Sequence, residues 1–63
     1  MEMTLKMLRI RKELTLKEVA KELGVVATTV SKWEKGKTYP EVLHIKKLSV
    51  IYGYPVHTIF FDY

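Results

Sequence analysis

The sequence predicts an all-α fold of five short helices closed around one small core. Three observations carry that expectation. Between residues 5 and 60 the apolar residues recur at the three- and four-residue spacing of a helix and do not alternate as a strand requires. Gly24, Gly36 and Gly53 each follow an apolar stripe at the point where a helix should stop, and Pro40 and Pro55 punctuate what comes next. The stretch 15–36, TLKEVAKELGVVATTVSKWEKG, reads as helix, tight turn, helix. In it Ala20 is small where one helix crosses the other, Gly24 can take the positive φ that ends a helix abruptly, and Val30 points back onto the same core.

Each element has its own justification. The first helix spans residues 4–13, capped by Thr4, with Leu5 and Leu8 on its apolar stripe beside Met7 or Ile10, and Lys6, Arg11 and Lys12 facing water. Leu14 drops into the core as the chain turns. The second runs over residues 16–23 and begins at the best cap in the sequence. The Thr15 hydroxyl can accept the Glu18 N–H while the Glu18 carboxylate reaches back to the N–H of Thr15. Val19, Ala20 and Leu23 face inward; Lys17, Lys21 and Glu22 face outward. The third covers residues 27 to 34 or 35, held by Val30 and Trp33. It starts at Val26, which cannot cap, so Thr28 and Thr29 are expected to compensate in part. After a loop over residues 37–40, Glu41 opens a fourth helix with Val42, Ile45, Leu48, Ser49 and Tyr52 inside and His44, Lys46 and Lys47 outside. Gly53 stops it. Pro55 starts a short fifth helix with Val56, Ile59 and Phe60 inward.

Composition bounds the rest. Sixty-three residues make one domain, and so short a chain buries only about 60% of the surface its unfolded form exposes. With no cysteine there is no disulfide and no thiolate metal site. No apolar run reaches the roughly 18 residues of a membrane span, and MEMTLKM lacks the form of a signal peptide. A cytoplasmic protein is the expectation. Eleven Lys or Arg against seven Asp or Glu give a net charge of +4, a balance that favours polyanionic partners.

Five helices in this order, with the second and third forming the turn motif, resemble the lambda-repressor-like domain of Cro and phage repressors. The resemblance covers residues 5–61. It rests on LKMLR in the first helix, TLKEVAKELGV across the second, VSKWEKGK ending the third, the Pro40 loop, and IYGYPVHTIF at the end. It implies a structural ion pair between Arg9 and Glu34, tethering the third helix to the first.

The resemblance further implies a sequence-specific regulator, most readily a repressor, that inserts the third helix into the major groove of double-stranded DNA. Each base pair shows a distinct donor and acceptor pattern there. The side chains placed to reach base edges are Ala27, Thr28, Ser31 and Lys32. Phosphates fall to Thr15 and Lys17 at the start of the second helix, and to Lys35, Lys37, Thr38 and Tyr39 at the end of the third. The sequence departs from the family at two places. Leu16 stands where a glutamine often binds phosphate, and Val26 where a hydroxyl residue usually caps the third helix; both changes remove polar groups from the DNA-facing edge. A homodimer on two half-sites is implied, with Phe61 and Tyr63 of the terminal IFFDY as interface candidates.

An enzyme is not expected. His44 and His57 lie thirteen residues apart with no cysteine nearby, so no metal or nucleophile spacing is present, and each reads as a surface histidine. No cofactor is implied. No effector-binding segment is visible, so no small-molecule ligand is expected for this stretch, which also suits a piece of a longer repressor. The competing reading is a protein-interaction module of the same fold, an antirepressor or antitoxin-like partner.

Overall fold

The computed structural model describes the backbone of residues 3–61 and the side chains of residues 3–60. Five helices follow one another: α1 (Leu5–Arg11), α2 (Leu16–Leu23), α3 (Ala27–Glu34), α4 (Val42–Tyr52) and α5 (His57–Phe61). No strand forms among the described residues. Phe61's side chain and Tyr63, the expected dimer surface, lie outside them.

The helices are set by local chemistry at their ends. Thr4 Oγ1 accepts the Met7 N–H at 3.1 Å and starts α1. Four helices then close the same way, with the second residue past the last turn donating its N–H five residues back: Leu14 to Arg9, Val25 to Ala20, Lys37 to Lys32 and Tyr54 to Ser49. That closure needs a left-handed residue just before the donor. Three of the four are glycine; after α1 it is Glu13, at φ +55°. A residue with a Cβ pays roughly 1–2 kcal/mol for that conformation, so α1 ends under mild strain.

Leu5 and Leu8 from α1, Val19, Ala20 and Leu23 from α2, Val30 and Trp33 from α3, Ile45, Leu48 and Tyr52 from α4, and Val56 form one buried cluster. Leu14, Leu16, Val25, Ile59 and Phe60 pack around its margin. Ala20 is 3% exposed, and α2 and α3 make the most extensive helix–helix contact. The small Ala20 side chain permits that close approach. Ser49 Oγ accepts the Val56 N–H at 3.1 Å and joins α4 to the start of α5. That helix begins at His57 rather than at Pro55, because the N–H groups of Thr58 and Ile59 bond three residues back, to the carbonyls of Pro55 and Val56, and hold this stretch as a tight turn. Thr58 Oγ1 also donates to the Pro55 carbonyl.

Three sequence expectations are corrected. Met7 and Ile10 are both exposed, since Leu5 and Leu8 already cover the narrow face that α1 turns to the core. Val42 is 62% exposed rather than inward-facing. At that end of α4 the buried residue is Pro40, which closes the loop against the core before the helix begins. His44, expected outside, lies half-buried with its ring 5.4 Å from that of Trp33. One turn before Leu48, it sits close enough to the buried stripe of α4 to meet the indole.

Candidate nucleic-acid interface

The site is a face of α3 whose position is fixed from behind. Val30 and Trp33 are 1% and 5% exposed and anchor the helix to the core. At about 100° per residue, Thr28, Lys32 and Lys35 share an arc of roughly 60° on the opposite side. All three are exposed. Ala27 and Ser31 flank that arc and are half-buried, so they stand at the edge of the face rather than on its crest. Ala27 lies about 90° round the helix from the centre of the Val30–Trp33 face. Ser31 lies about 130° round, as far as Lys32, so its partial burial comes from how closely the neighbouring elements approach that side.

The C-terminal end of α3 is tied down by charge. Arg9 Nε donates to Glu34 Oε2 at 2.7 Å and Nη2 donates to Oε1 at 3.3 Å, a two-pronged contact between side chains 14% and 7% exposed. Arg9 Nη1 donates to the Leu14 carbonyl at 3.0 Å. One guanidinium thus joins α1, the connection into α2, and the last residue of α3. The hydrogen bonds that Arg9 donates to Glu34 hold the Arg9 pKa above its ordinary value, against the opposing effect of burial. Tyr52 lies close to the same pair. Removal from water, reinforced by the charge of Glu34 and opposed by that of Arg9, pushes its phenol up to about 12.

At the start of α2 the reciprocal cap is complete. Thr15 Oγ1 accepts the Glu18 N–H at 3.1 Å and Glu18 Oε1 accepts the Thr15 N–H at 2.8 Å. This qualifies the expected anion site, because the carboxylate already takes one N–H and brings a negative charge. What this end still offers a phosphate is the exposed Lys17 ammonium, the N–H groups of Leu16 and Lys17, and the proton of the Thr15 hydroxyl. Leu16 itself is half-buried against the core margin. At α3 neither Thr28 nor Thr29 compensates for the missing cap: Val26 opens the helix with no side-chain hydrogen bond.

Lys35, Lys37, Thr38 and Tyr39 are all exposed in the last turn of α3 and the loop after it. Tyr39 does not swing freely, since its ring packs edge-on to Phe60 at 6.0 Å and 84°. Among the described residues no carboxylate pairs with Lys17, Lys32, Lys35 or Lys37, which leaves four cations on α2, α3 and the following loop unneutralised. Sequence reasoning missed His44. Its contact with Trp33 braces α3 from α4, and only its position one turn before Leu48 hinted at it.

The helix-turn-helix family model matches residues 5–59. The chain belongs to that family, in its Cro and phage-repressor branch. The helix-turn-helix itself is α2, the turn at Gly24, and α3. The chain is 41% identical over 49 residues to the HTH-type transcriptional activator BcrR of Enterococcus faecalis, across 78% of this chain and 24% of that protein. It is 34% identical over 55 residues to the cryptic phage CTXphi transcriptional repressor RstR of Vibrio cholerae, across 87% of this chain and 50% of that one. The chain therefore spans half or less of the length of these relatives. No solved structure matches it. Among the described residues no helix is long and apolar enough to cross a membrane.

Proposed function

We propose that this helix-turn-helix domain binds a double-stranded DNA operator with α3 in the major groove and acts as a repressor where that operator overlaps a promoter. The observation that carries the reading is the outward arc of Thr28, Lys32 and Lys35, all exposed, on a helix braced from behind by Val30, Trp33 and the Arg9–Glu34 pair. Lys32 donates to guanine O6 or N7, and Ala27, Thr28 and Ser31 make the neighbouring base contacts. Lys17, Lys35, Lys37 and the hydroxyls of Thr15, Thr38 and Tyr39 hold phosphates and fix register. Arg9 is structural and touches no phosphate. Two copies read two half-sites about one helical turn apart, with Phe61 and Tyr63 at the contact between them. The repressor reading draws on the likeness to RstR; it fits a cytoplasmic protein working without a cofactor.

The test is selection of bound duplexes from a random pool, followed by titration of the winner across salt concentrations. Three phosphate-contacting lysines per domain give a log–log slope of about −3 for one domain and about −5 for the dimer. A reporter driven by a promoter carrying the selected site then reads the direction of regulation. Sedimentation at micromolar concentration, with and without Phe61→Ser, reads the dimer. The exposed apolar residues Val42, Leu43 and Val50 on α4 favour a second reading, a protein-interaction module. A chain that enriches no duplex and shows no salt slope on any DNA supports it.

A further inference from the structure

Val25 and Val26 are neighbours with opposite fates. Val25 is half-buried and packs against the core; Val26 is 66% exposed and takes no part in it. As the residue that opens α3, Val26 makes no capping hydrogen bond, so a hydroxyl residue in its place would serve the fold better. A position that breaks two local rules at once, an unmade cap and an exposed aliphatic side chain, is where a binding role is expected. The next two residues continue the chemistry. Ala27 offers a methyl, and Thr28 a methyl beside its hydroxyl. Ala27 is half-buried against the core, so the apolar groups that the start of α3 exposes are those of Val26 and the Thr28 methyl, and its first long polar side chain, Lys32, comes more than a turn later.

We propose that Val26 is a specificity-determining residue that reads the 5-methyl group of thymine, so that each half-site carries a thymine at the position facing the start of α3. The inference rests on the DNA-binding reading above. Its chemistry is narrow, because the thymine methyl is the one apolar group that a base-pair edge presents in the major groove. Val26 and Lys32 are six residues apart, about 9 Å along the helix axis. For a helix lying along the groove that is the rise of two to three base pairs at about 3.4 Å each. The half-site therefore pairs this thymine with a guanine roughly that far away.

The experiment starts from the duplex selected from a random pool. Each thymine of the half-site is replaced singly by deoxyuridine, which removes the methyl and leaves every hydrogen-bonding edge intact. Binding is measured for the unaltered protein, Val26→Ala and Val26→Ser. The expected result is one position at which deoxyuridine weakens the unaltered protein about fourfold, the equivalent of about 0.8 kcal/mol for one buried methyl. Both variants should bind the thymine and deoxyuridine duplexes equally at that position. Equal binding of both duplexes by the unaltered protein at every thymine overturns the inference, and this comparison needs no variant to fold. So does a selected half-site without thymine, or a sensitivity that persists in both variants. A pool that yields no enriched duplex overturns the DNA-binding reading itself and this inference with it; enrichment without a deoxyuridine effect overturns this inference alone.

Discussion

Glu34→Gln leaves the Arg9 guanidinium, 14% exposed, without the carboxylate that now holds it at 2.7 and 3.3 Å. The amide can still accept one hydrogen bond, and the Leu14 carbonyl remains, but the charge loses its counter-charge in a site largely closed to water. Removing one partner of a buried pair costs about 3–5 kcal/mol; the small exposure of Arg9 puts this site near the lower figure, about 3 kcal/mol. For 63 residues a total stability of about 3–9 kcal/mol is expected, so the substitution removes between a third and all of it. In thermal terms that is a fall in Tm of about 12–24 °C. The assay is urea unfolding followed by the fluorescence of Trp33, the single tryptophan, which is 5% exposed and adjacent to the substituted residue. A second arm replaces both partners, Arg9→Met with Glu34→Leu. It should recover most of the loss, since the penalty comes from the stranded charge rather than from the value of the pair. A loss below about 1 kcal/mol for Glu34→Gln is what an exposed surface pair gives, and would refute the claim that this contact tethers α3.

Three further outcomes are expected. Glu13→Gly relieves the left-handed backbone after α1 and should raise stability by about 0.5–1 kcal/mol in the same unfolding assay, because the strain removed exceeds the added freedom of the unfolded chain. Tyr52 is held neutral by its surroundings, so its contribution to stability is whole below its unfolded pKa of about 10 and drains away as pH rises towards about 12. Urea midpoints between pH 9 and 12 should fall more steeply for the unaltered protein than for Tyr52→Phe, the difference approaching about 2–3 kcal/mol. Leu16→Gln should tighten binding of the selected duplex while costing about 1 kcal/mol of stability, because it adds a phosphate donor and removes a half-buried apolar side chain; a titration curve that overlays the unaltered protein's refutes the phosphate-edge argument.

Much of α2 could be read directly, since each of its signals is local. The Thr15–Glu18 reciprocal cap needs only residues three apart, and Gly24 needs only its own backbone freedom. The inward set Val19, Ala20 and Leu23 follows from helical spacing alone. The first turn of α4 was read less well. Periodicity placed Val42 inside and His44 outside, yet the loop brings Pro40 to the core and the Trp33 ring brings His44 inward. Both reversals depend on residues from another element, whose distance in space no spacing rule contains. The candidate interface divides the same way. That Thr28 and Lys32 project outward follows from where Val30 and Trp33 must go. That Ala27 and Ser31 sit only at the margin depends on how closely the rest of the fold approaches α3.

The sequence by itself determined that this chain is five helices with a helix-turn-helix inside them, because caps, left-handed glycines and apolar spacing act within a few residues of one another. It also determined the chemistry available at the start of α3: methyl-bearing Val26, Ala27 and Thr28, with Lys32 more than a turn further on. The family resemblance already implied the Arg9–Glu34 tether; only the tertiary structure decided its geometry and the other contacts that hold that helix. Arg9 reaches Glu34 and the Leu14 carbonyl across 25 and 5 residues of chain, and His44 meets Trp33 from a separate helix. Contacts of that kind are fixed by how helices pack once the core closes. So is the difference between Val25, drawn into the core margin, and Val26, left facing out.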